Sequence, residues 1–371
     1  MANLAQETKT KNRDIRFDFL KTLGLLCIIL AHSSPPHIIS QLRNFDVPLM
    51  VIVSGTLFSY SFRDKKYSFW EYIKKRIIRL VSPVWLFLLF FFSSIYILDS
   101  LTDISYPFTL KSILTSFLLL GGIGYVWIIR VFVLMAIISP LILGLHKYFA
   151  SDVRFLAALS GIYVFYELIF NFIQHFSITS PLLATLVNSY LLLLIPYGCM
   201  LGLGMVLTRM NRQSILAASA IFLIIFLTLT LYHFCVSGKF VATQSYKDPP
   251  TLYYLSYAIF VSMLAYYVVD KFLGNYFTLL SERESFLIKW ISFVSSSSLW
   301  IYLWHIYCLH YWLIIAQHLS PIATNFTVIF TVVTFTSIAI TYLQKKLISG
   351  VITETRFGRE HCELMATLFL K

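Results

Sequence analysis

Apolar stretches long enough to cross a lipid bilayer recur along the whole chain. A hydrocarbon core of about 30 Å requires about 20 apolar residues in a helix, and lipid leaves the backbone no partners outside the protein. We count ten such stretches, at approximately 17–34, 46–62, 80–98, 125–145, 154–172, 189–207, 214–235, 251–270, 297–316 and 322–344. With 58% hydrophobic and 12% charged residues, a soluble globule is excluded. The sequence predicts an all-α polytopic membrane protein with about ten transmembrane helices.

The basic residues are distributed unevenly between the two sides of this predicted bundle. With the N-terminus in the cytoplasm, 24 of the 29 Lys and Arg residues fall on the cytoplasmic side. The other side receives Arg43, Lys111, Lys239 and Lys247. The positive-inside rule then places both termini in the cytoplasm. We predict a cytoplasmic segment at 1–16, a transmembrane domain at 17–344 and a cytoplasmic tail at 345–371. Because the basic residues are interspersed between apolar stretches, the net charge of +12 indicates membrane topology and not nucleic-acid binding.

The first apolar stretch contains three ionisable residues, Asp18, Lys21 and His32. Lys21 and His32 are separated by about three helical turns, so they project from one face about 16 Å apart. A Lys or Asp residue costs about 2.5 to 3.5 kcal/mol at a helix centre, which favours a function for intramembrane ionisable residues. His32 would act as a general base on a hydroxyl, or else bond a neighbouring helix as a structural residue. Asp18 and Lys21 are also spaced to form a local ion pair.

A second basic group enters the third stretch in the sequence FWEYIKKRIIRLVSPVW. Arg76 and Arg79 are neighbours on one helix face, where two guanidinium groups can grip phosphate oxygens bidentately. A phosphorylated cytoplasmic ligand would suit this pair. Orientation of the helix or contact with anionic lipid explains Lys74 and Lys75, and equally accounts for the two arginines.

The order of several motifs resembles acyltransferase family three over nearly the whole chain. These motifs are Lys21 and His32 with ten residues between them, the FDVPLMVIVSGTLF segment, Arg76 and Arg79 followed by LVSP, the YVWIIRVFVLMAIISPLI segment, and SLWIYLWH near the end. Members are bacterial membrane enzymes that O-acylate surface polysaccharides and related glycans. The resemblance implies ten core helices, acetyl-CoA as the cytoplasmic donor, Lys21 and His32 as essential residues, and Arg76 and Arg79 as part of the donor site.

The sequence departs from the family pattern at two places. Lys21 stands where relatives carry either Lys or Arg. Its ammonium group is a point charge, whereas an Arg guanidinium group can bind bidentately. Tyr125 precedes Val126 and Trp127 where many relatives resemble a His-Leu-Trp pattern. A role for that extra histidine therefore does not transfer to this chain.

Four further residues are candidates for the acceptor site or its support. His305 matches the family pattern and would form either an active-site wall or a hydrogen bond between helices. Glu167 lies in an apolar stretch, so it would be protonated, paired with Arg130 or turned to a wet cavity. Trp127 and Arg130 would lie at the reaction chamber, or Trp127 would serve only in packing.

These observations predict a membrane O-acetyltransferase in the inner membrane of a bacterium. Acetyl-CoA phosphates held by Lys21, Arg76 and Arg79 would place the thioester near His32, since 16 Å is comparable to an extended phosphopantetheine arm. The acceptor would be a surface or lipid-linked glycan; no metal is expected, and a homo-oligomer is compatible with the sequence. A transporter or flippase is the alternative, because buried charges also suit permeation. Two alternatives stay open. The acyl group is acetyl or another group such as succinyl, and transfer is either direct or through an acetyl-histidine intermediate.

Overall fold

The computed structural model describes residues 14–63, 67–101, 106–173, 180–274, 285–316, 318–319 and 321–370, and within these ranges the regular structure is entirely helical. The prediction of an all-α protein is confirmed. The helices are α1 Ile15–His32, α2 His37–Leu42, α3 Asp46–Phe62, α4 Phe69–Leu101, α5 Leu110–Phe117, α6 Val126–Phe149, α7 Asp152–Ile173, α8 Pro181–Leu186, α9 Leu192–Leu207, α10 Arg212–Ser237, α11 Leu252–Val268, α12 Phe286–Ser296, α13 Ser298–Ala316, α14 Phe326–Glu354, α15 Arg356–Glu360 and α16 Cys362–Met365. Three one-turn π-helices are also present. Val187–Leu191 connects α8 to α9, Val269–Leu273 extends α11, and Ala366–Leu370 follows α16.

Nine helical segments in the described part of the chain are long and apolar enough to cross a membrane. They correspond to the second through tenth predicted stretches; α2 and α3 together form one segment, and α8 and α9 form another. The first predicted stretch corresponds to α1. Its 18 residues contain Arg16, Asp18 and Lys21, so it is too charged to be counted among the nine apolar segments. α14 runs ten residues beyond the predicted end of its stretch, because a helix continues where apolar composition stops.

The helix α1, which carries three charged residues, lies at the centre of the bundle. α1 packs against α3, α11, α12, α13 and α14, and Leu20, Leu25 and Ile29 along it are fully buried. α10, in contrast, is strongly apolar and lies at the periphery, with 11% of its most apolar window buried. The arrangement keeps the ionisable side chains of α1 away from lipid, where they would be costly.

Two glycines allow α3 and α9 to approach closely. A Cβ atom on Gly55 would lie 2.0 Å from the carbonyl oxygen of Leu201, and one on Gly204 would lie 1.9 Å from that of Ile52. The Thr56 hydroxyl donates to the Gly204 carbonyl at 2.7 Å. Small residues and interhelical hydrogen bonds of this kind are typical of membrane helix packing.

Two short segments flank the spanning helices. α5 lies in the long connection before α6, and the Trp85 indole donates to the Phe117 carbonyl at its end. At the C-terminus the chain folds back, so that Phe369 stacks on Trp300 with ring centroids 6.0 Å apart. The segment after residue 344 thus continues α14 to Glu354 and then folds back to pack on α13.

Candidate active site

His32, the last residue of α1, forms a hydrogen-bonded chain with α13. Its Nδ1 lies 2.9 Å from Nε2 of His305, and Nδ1 of His305 bonds the carbonyl oxygen of Tyr302. Because a carbonyl only accepts hydrogen bonds, Nδ1 of His305 carries the proton and its Nε2 is the acceptor in the neutral ring. Nδ1 of His32 must then donate, which leaves a lone pair on Nε2 of His32.

Only one of the two histidines is accessible. His305 is completely buried, whereas His32 is partly exposed. The two rings are nearly parallel, with an angle of 9° between their planes. A substrate could therefore reach His32, while His305 can act only through it. The ring of His32 stacks on that of His305 in α13, with ring centroids 5.1 Å apart.

Tyr125, which immediately precedes α6, packs edge-on against the ring of His32. The ring centroids of Tyr125 and His32 are 4.7 Å apart at an angle of 87°. The Tyr302 hydroxyl donates to the Tyr125 carbonyl, so a hydrogen bond connects the segment before α6 to α13. A tyrosine hydroxyl is neutral near pH 7, since its ordinary pKa is about 10. Tyr125 thus restricts the ring of His32 without adding charge.

At the other end of α1, Asp18 and Lys21 bind the same residue of α12. The Ser295 hydroxyl donates to Asp18 Oδ1 at 2.6 Å, and Lys21 Nζ donates to the Ser295 carbonyl at 2.9 Å. The ammonium group therefore lies at the C-terminal end of a helix, where positive charge is stabilised. The helix breaks at Ser297, whose buried hydroxyl has no hydrogen-bond partner in the described part of the chain.

Arg76 and Arg79 are both exposed on the first turns of α4. Among the residues that the structure describes, no carboxylate forms an ion pair with either guanidinium group. The pair is accordingly available to an anionic ligand.

A cavity of about 650 Å³ opens beside the start of α6. It is lined by Trp127, Arg130, Phe170, Ile173, Ala184, Asn188, Leu192, Leu193, Asp248 and Pro249. Arg130 donates to the Leu120 carbonyl at 3.2 Å and lies over the ring of Tyr190, while its buried Nε has no partner among the described residues. The walls thus combine aromatic surface with charged and polar side chains. His32 and His305 do not line this cavity.

Glu167 lies outside the cavity and caps a helix. Its Oε1 accepts from the Tyr163 hydroxyl and from the backbone N–H of Leu252, at the start of α11. A carboxylate there satisfies an unpaired N–H group and favours the helix N-terminus. Arg130 binds elsewhere, so the two residues are not paired.

Lys247 is a site residue that the sequence did not single out. It is 5% exposed, and its Nζ lies 4.4 Å from the centroid of the Trp127 ring. Burial lowers the pKa of Lys247, and Arg43 lowers it further, whereas Asp46 and Asp248 raise it. The sequence showed only that Lys247 is one of four basic residues on the predicted non-cytoplasmic side. A count of charges does not reveal which of them is buried.

Comparison with known proteins identifies a family. A family model described as an acyltransferase domain, that of acyltransferase family three, matches residues 14–344. No curated protein and no solved structure matches the chain.

Proposed function

The chain belongs to acyltransferase family three, and from this premise we propose that it moves acetyl from cytoplasmic acetyl-CoA to a hydroxyl of a cell-surface or lipid-linked glycan. The observation that carries the proposal is the directed hydrogen-bond chain from the Tyr302 carbonyl through His305 to His32. It leaves an unprotonated Nε2 on a partly accessible ring inside a membrane bundle, which is what a general base requires.

His32 acts directly on the acceptor in this proposal. Its Nε2 takes the proton of the acceptor hydroxyl as the oxygen attacks the thioester carbonyl carbon. The new C–O bond forms, the C–S bond breaks, and the imidazolium returns the proton to the departing thiolate. The products are the ester and free coenzyme A, and His32 regains its starting state. A positioned base of this kind contributes about 10²- to 10⁴-fold in rate.

The donor side is assigned to the end of the bundle that carries Lys21, Arg76 and Arg79. Two exposed guanidinium groups without a carboxylate partner in the described chain can bind phosphate oxygens bidentately. Lys21 is held at the end of α12 by Ser295, about 16 Å along α1 from His32. A pantetheine arm between these points would bring its thioester to the imidazole.

The acceptor side is assigned to the cavity beside α6. Its aromatic face at Trp127 suits stacking on a sugar ring, and Arg130, Asn188 and Asp248 supply donors and acceptors for hydroxyl groups. Tyr125 links this cavity to the active site, because its ring contacts His32 while Trp127 two residues later lines the wall. Membrane lipid surrounds the bundle, and the inner membrane of a bacterium is the proposed location.

The decisive experiment compares wild-type protein with His32→Ala in membrane vesicles supplied with acetyl-labelled acetyl-CoA. We expect label in alkali-labile esters of the membrane glycan, and at least a 10²-fold loss in His32→Ala. His318→Ala is the matched control, since that histidine lies beyond α13 and should leave transfer unchanged. Folding of each variant is checked by gel filtration in detergent.

Three outcomes would contradict the proposal. Full transfer by folded His32→Ala would remove the base from His32. Label from succinyl-CoA but not from acetyl-CoA would replace the acyl group. Glycans that differ between cells with and without the gene only in location, with equal ester content, would indicate a transporter.

A further inference from the structure

Lys247 is a buried cation that has no counter-ion of its own. Among the described residues, no carboxylate oxygen lies within ion-pair distance of its Nζ, and its side-chain contact is the face of Trp127. The nearby Asp46 is already neutralised, because Arg43 Nη1 lies 2.9 Å from its Oδ2 and the Val47 N–H binds its Oδ1. The buried members of this group, Arg43, Asp46 and Lys247, therefore sum to one positive charge, and the other carboxylate that acts on Lys247, that of Asp248, is exposed to solvent. A cation taken from water in this way is costly unless an anion arrives to pair with it.

This excess charge is close enough to His32 for Lys247 and Arg43 to act on its imidazole electrostatically. The segment at the start of α6 joins the two sites, since Tyr125 packs on His32 and Trp127 lies under the lysine. His32 is neutral in its hydrogen-bonded chain, so it does not balance the charge before reaction.

We propose that the Lys247 ammonium stabilises the oxyanion that forms on the acyl carbonyl during transfer, acting as a further catalytic residue. The inference rests on the proposed acyl transfer. As the acceptor oxygen attacks, the carbonyl π electrons move to oxygen and a negative charge appears beside the ammonium group. When the intermediate collapses, those electrons reform the carbonyl and the thiolate leaves. Lys247 keeps its protons throughout.

The surroundings of Lys247 suit this role. A preorganised charge in a water-poor site stabilises developing charge more strongly than the same group in water. The face of Trp127 holds the ammonium group in place and favours its charged form. The Lys247 side chain comes from the loop before α11, so the loop and α6 together would complete the site.

The test measures transfer kinetics of purified full-length protein in nanodiscs, with acetyl-CoA and a glycan acceptor extracted from the membrane. The variants are Lys247→Met, Lys247→Arg and, as a matched control, Lys239→Met, an exposed lysine of the same loop. We expect Lys247→Met to lower kcat about 10²- to 10³-fold with little change in either KM, as for other lost oxyanion donors. Lys247→Arg should retain activity within about tenfold, and Lys239→Met should match the wild type.

The pH profile gives a readout that a structural role would not produce. Because burial lowers the pKa of Lys247, we expect wild-type kcat to fall on the alkaline side below the ordinary lysine pKa of about 10.4. Arg43, Asp46, Asp248 and His32 are the charged or titratable groups that act on this lysine or adjoin it, and all are kept in Lys247→Arg. That variant should lose the alkaline fall. This measurement decides the question even if Lys247→Met does not fold.

The outcomes separate this inference from the proposed function. A wild type without any acyl transfer would overturn both. A wild type that transfers, with unchanged kcat in folded Lys247→Met or no alkaline fall, would overturn only the role of Lys247. A raised acceptor KM at unchanged kcat would reassign the lysine to binding an anionic acceptor, which also overturns the oxyanion role.

Discussion

Nδ1 of His32 lies 2.9 Å from Nε2 of His305, and the second ring is itself fixed by a backbone carbonyl. A neutral imidazole thus orients the base where many enzymes use a carboxylate. The neutral partner avoids burying an unpaired negative charge among apolar helices. The neutral partner also stabilises the imidazolium of the proposed reaction less than a carboxylate would. In the proposed mechanism the Lys247 ammonium group acts on the substrate oxyanion and not on His32.

The first prediction concerns His305. His305→Phe keeps a ring of similar size but removes the acceptor for Nδ1 of His32, so the reactive tautomer is no longer favoured. We expect kcat for acetyl transfer to fall about 10²- to 10⁴-fold, at little change in donor KM. His305→Gln can still offer a carbonyl oxygen and should be less impaired.

The control for this prediction is His310→Phe, five residues further along α13 and packed on Phe91 instead of His32. It should transfer as the wild type does. Equal losses in His305→Phe and His305→Gln would assign His305 to packing and not to orientation of the base. An altered acid limb of the pH profile in His305→Gln would support its action through His32.

The second prediction concerns Arg76 and Arg79. Replacing either with Gln removes a charge-assisted hydrogen bond to phosphate, worth about 1.5 to 3 kcal/mol, which corresponds to roughly 10- to 100-fold in affinity. We expect the KM for acetyl-CoA to rise while kcat at saturating donor stays near the wild-type value. Lys74→Gln, on the same turns of α4, is the matched control. Unchanged donor dependence would assign the arginines to helix orientation or lipid contact.

The third prediction tests the cavity beside α6. Arg130→Gln and Asn188→Ala remove polar groups from its walls, so the KM for the glycan acceptor should rise roughly tenfold in each, with the KM for acetyl-CoA unchanged. Arg154→Gln, an exposed arginine on α7, is the control for lost charge. A change confined to donor KM would show that the cavity serves the donor instead of the acceptor.

The helical membrane fold was predictable because it follows from hydropathy alone. Apolar length located nine spanning helices and α1, since lipid enforces internally bonded helices. Helix ends were less well predicted, as at α14, because polar turns extend a helix into water without changing the apolar window. The orientation of the bundle stays a prediction from the charge distribution.

Side-chain partners were less predictable, because they join residues far apart in the chain. The spacing of Lys21 and His32 indicated one helix face but not that Ser295 and His305 would be the groups they meet. Glu167 was a candidate for the acceptor site by its apolar surroundings, yet local geometry makes it a cap for α11. Lys247 could not be recognised because its burial depends on how one loop packs against Trp127.

The last prediction concerns stability at the contact between α3 and α9. A methyl group on Gly204 would lie 1.9 Å from the backbone carbonyl of Ile52, and backbone atoms cannot move aside as a flexible side chain can. Gly204→Ala should therefore force the helices apart, break the bond from Thr56 and destabilise the protein by about 1 to 3 kcal/mol or more. We expect a lower melting temperature in detergent. Gly144→Ala is the control, since nothing lies within 4 Å of its added methyl group and alanine favours a helix. Equal melting temperatures for the two variants would contradict the close packing of α3 and α9.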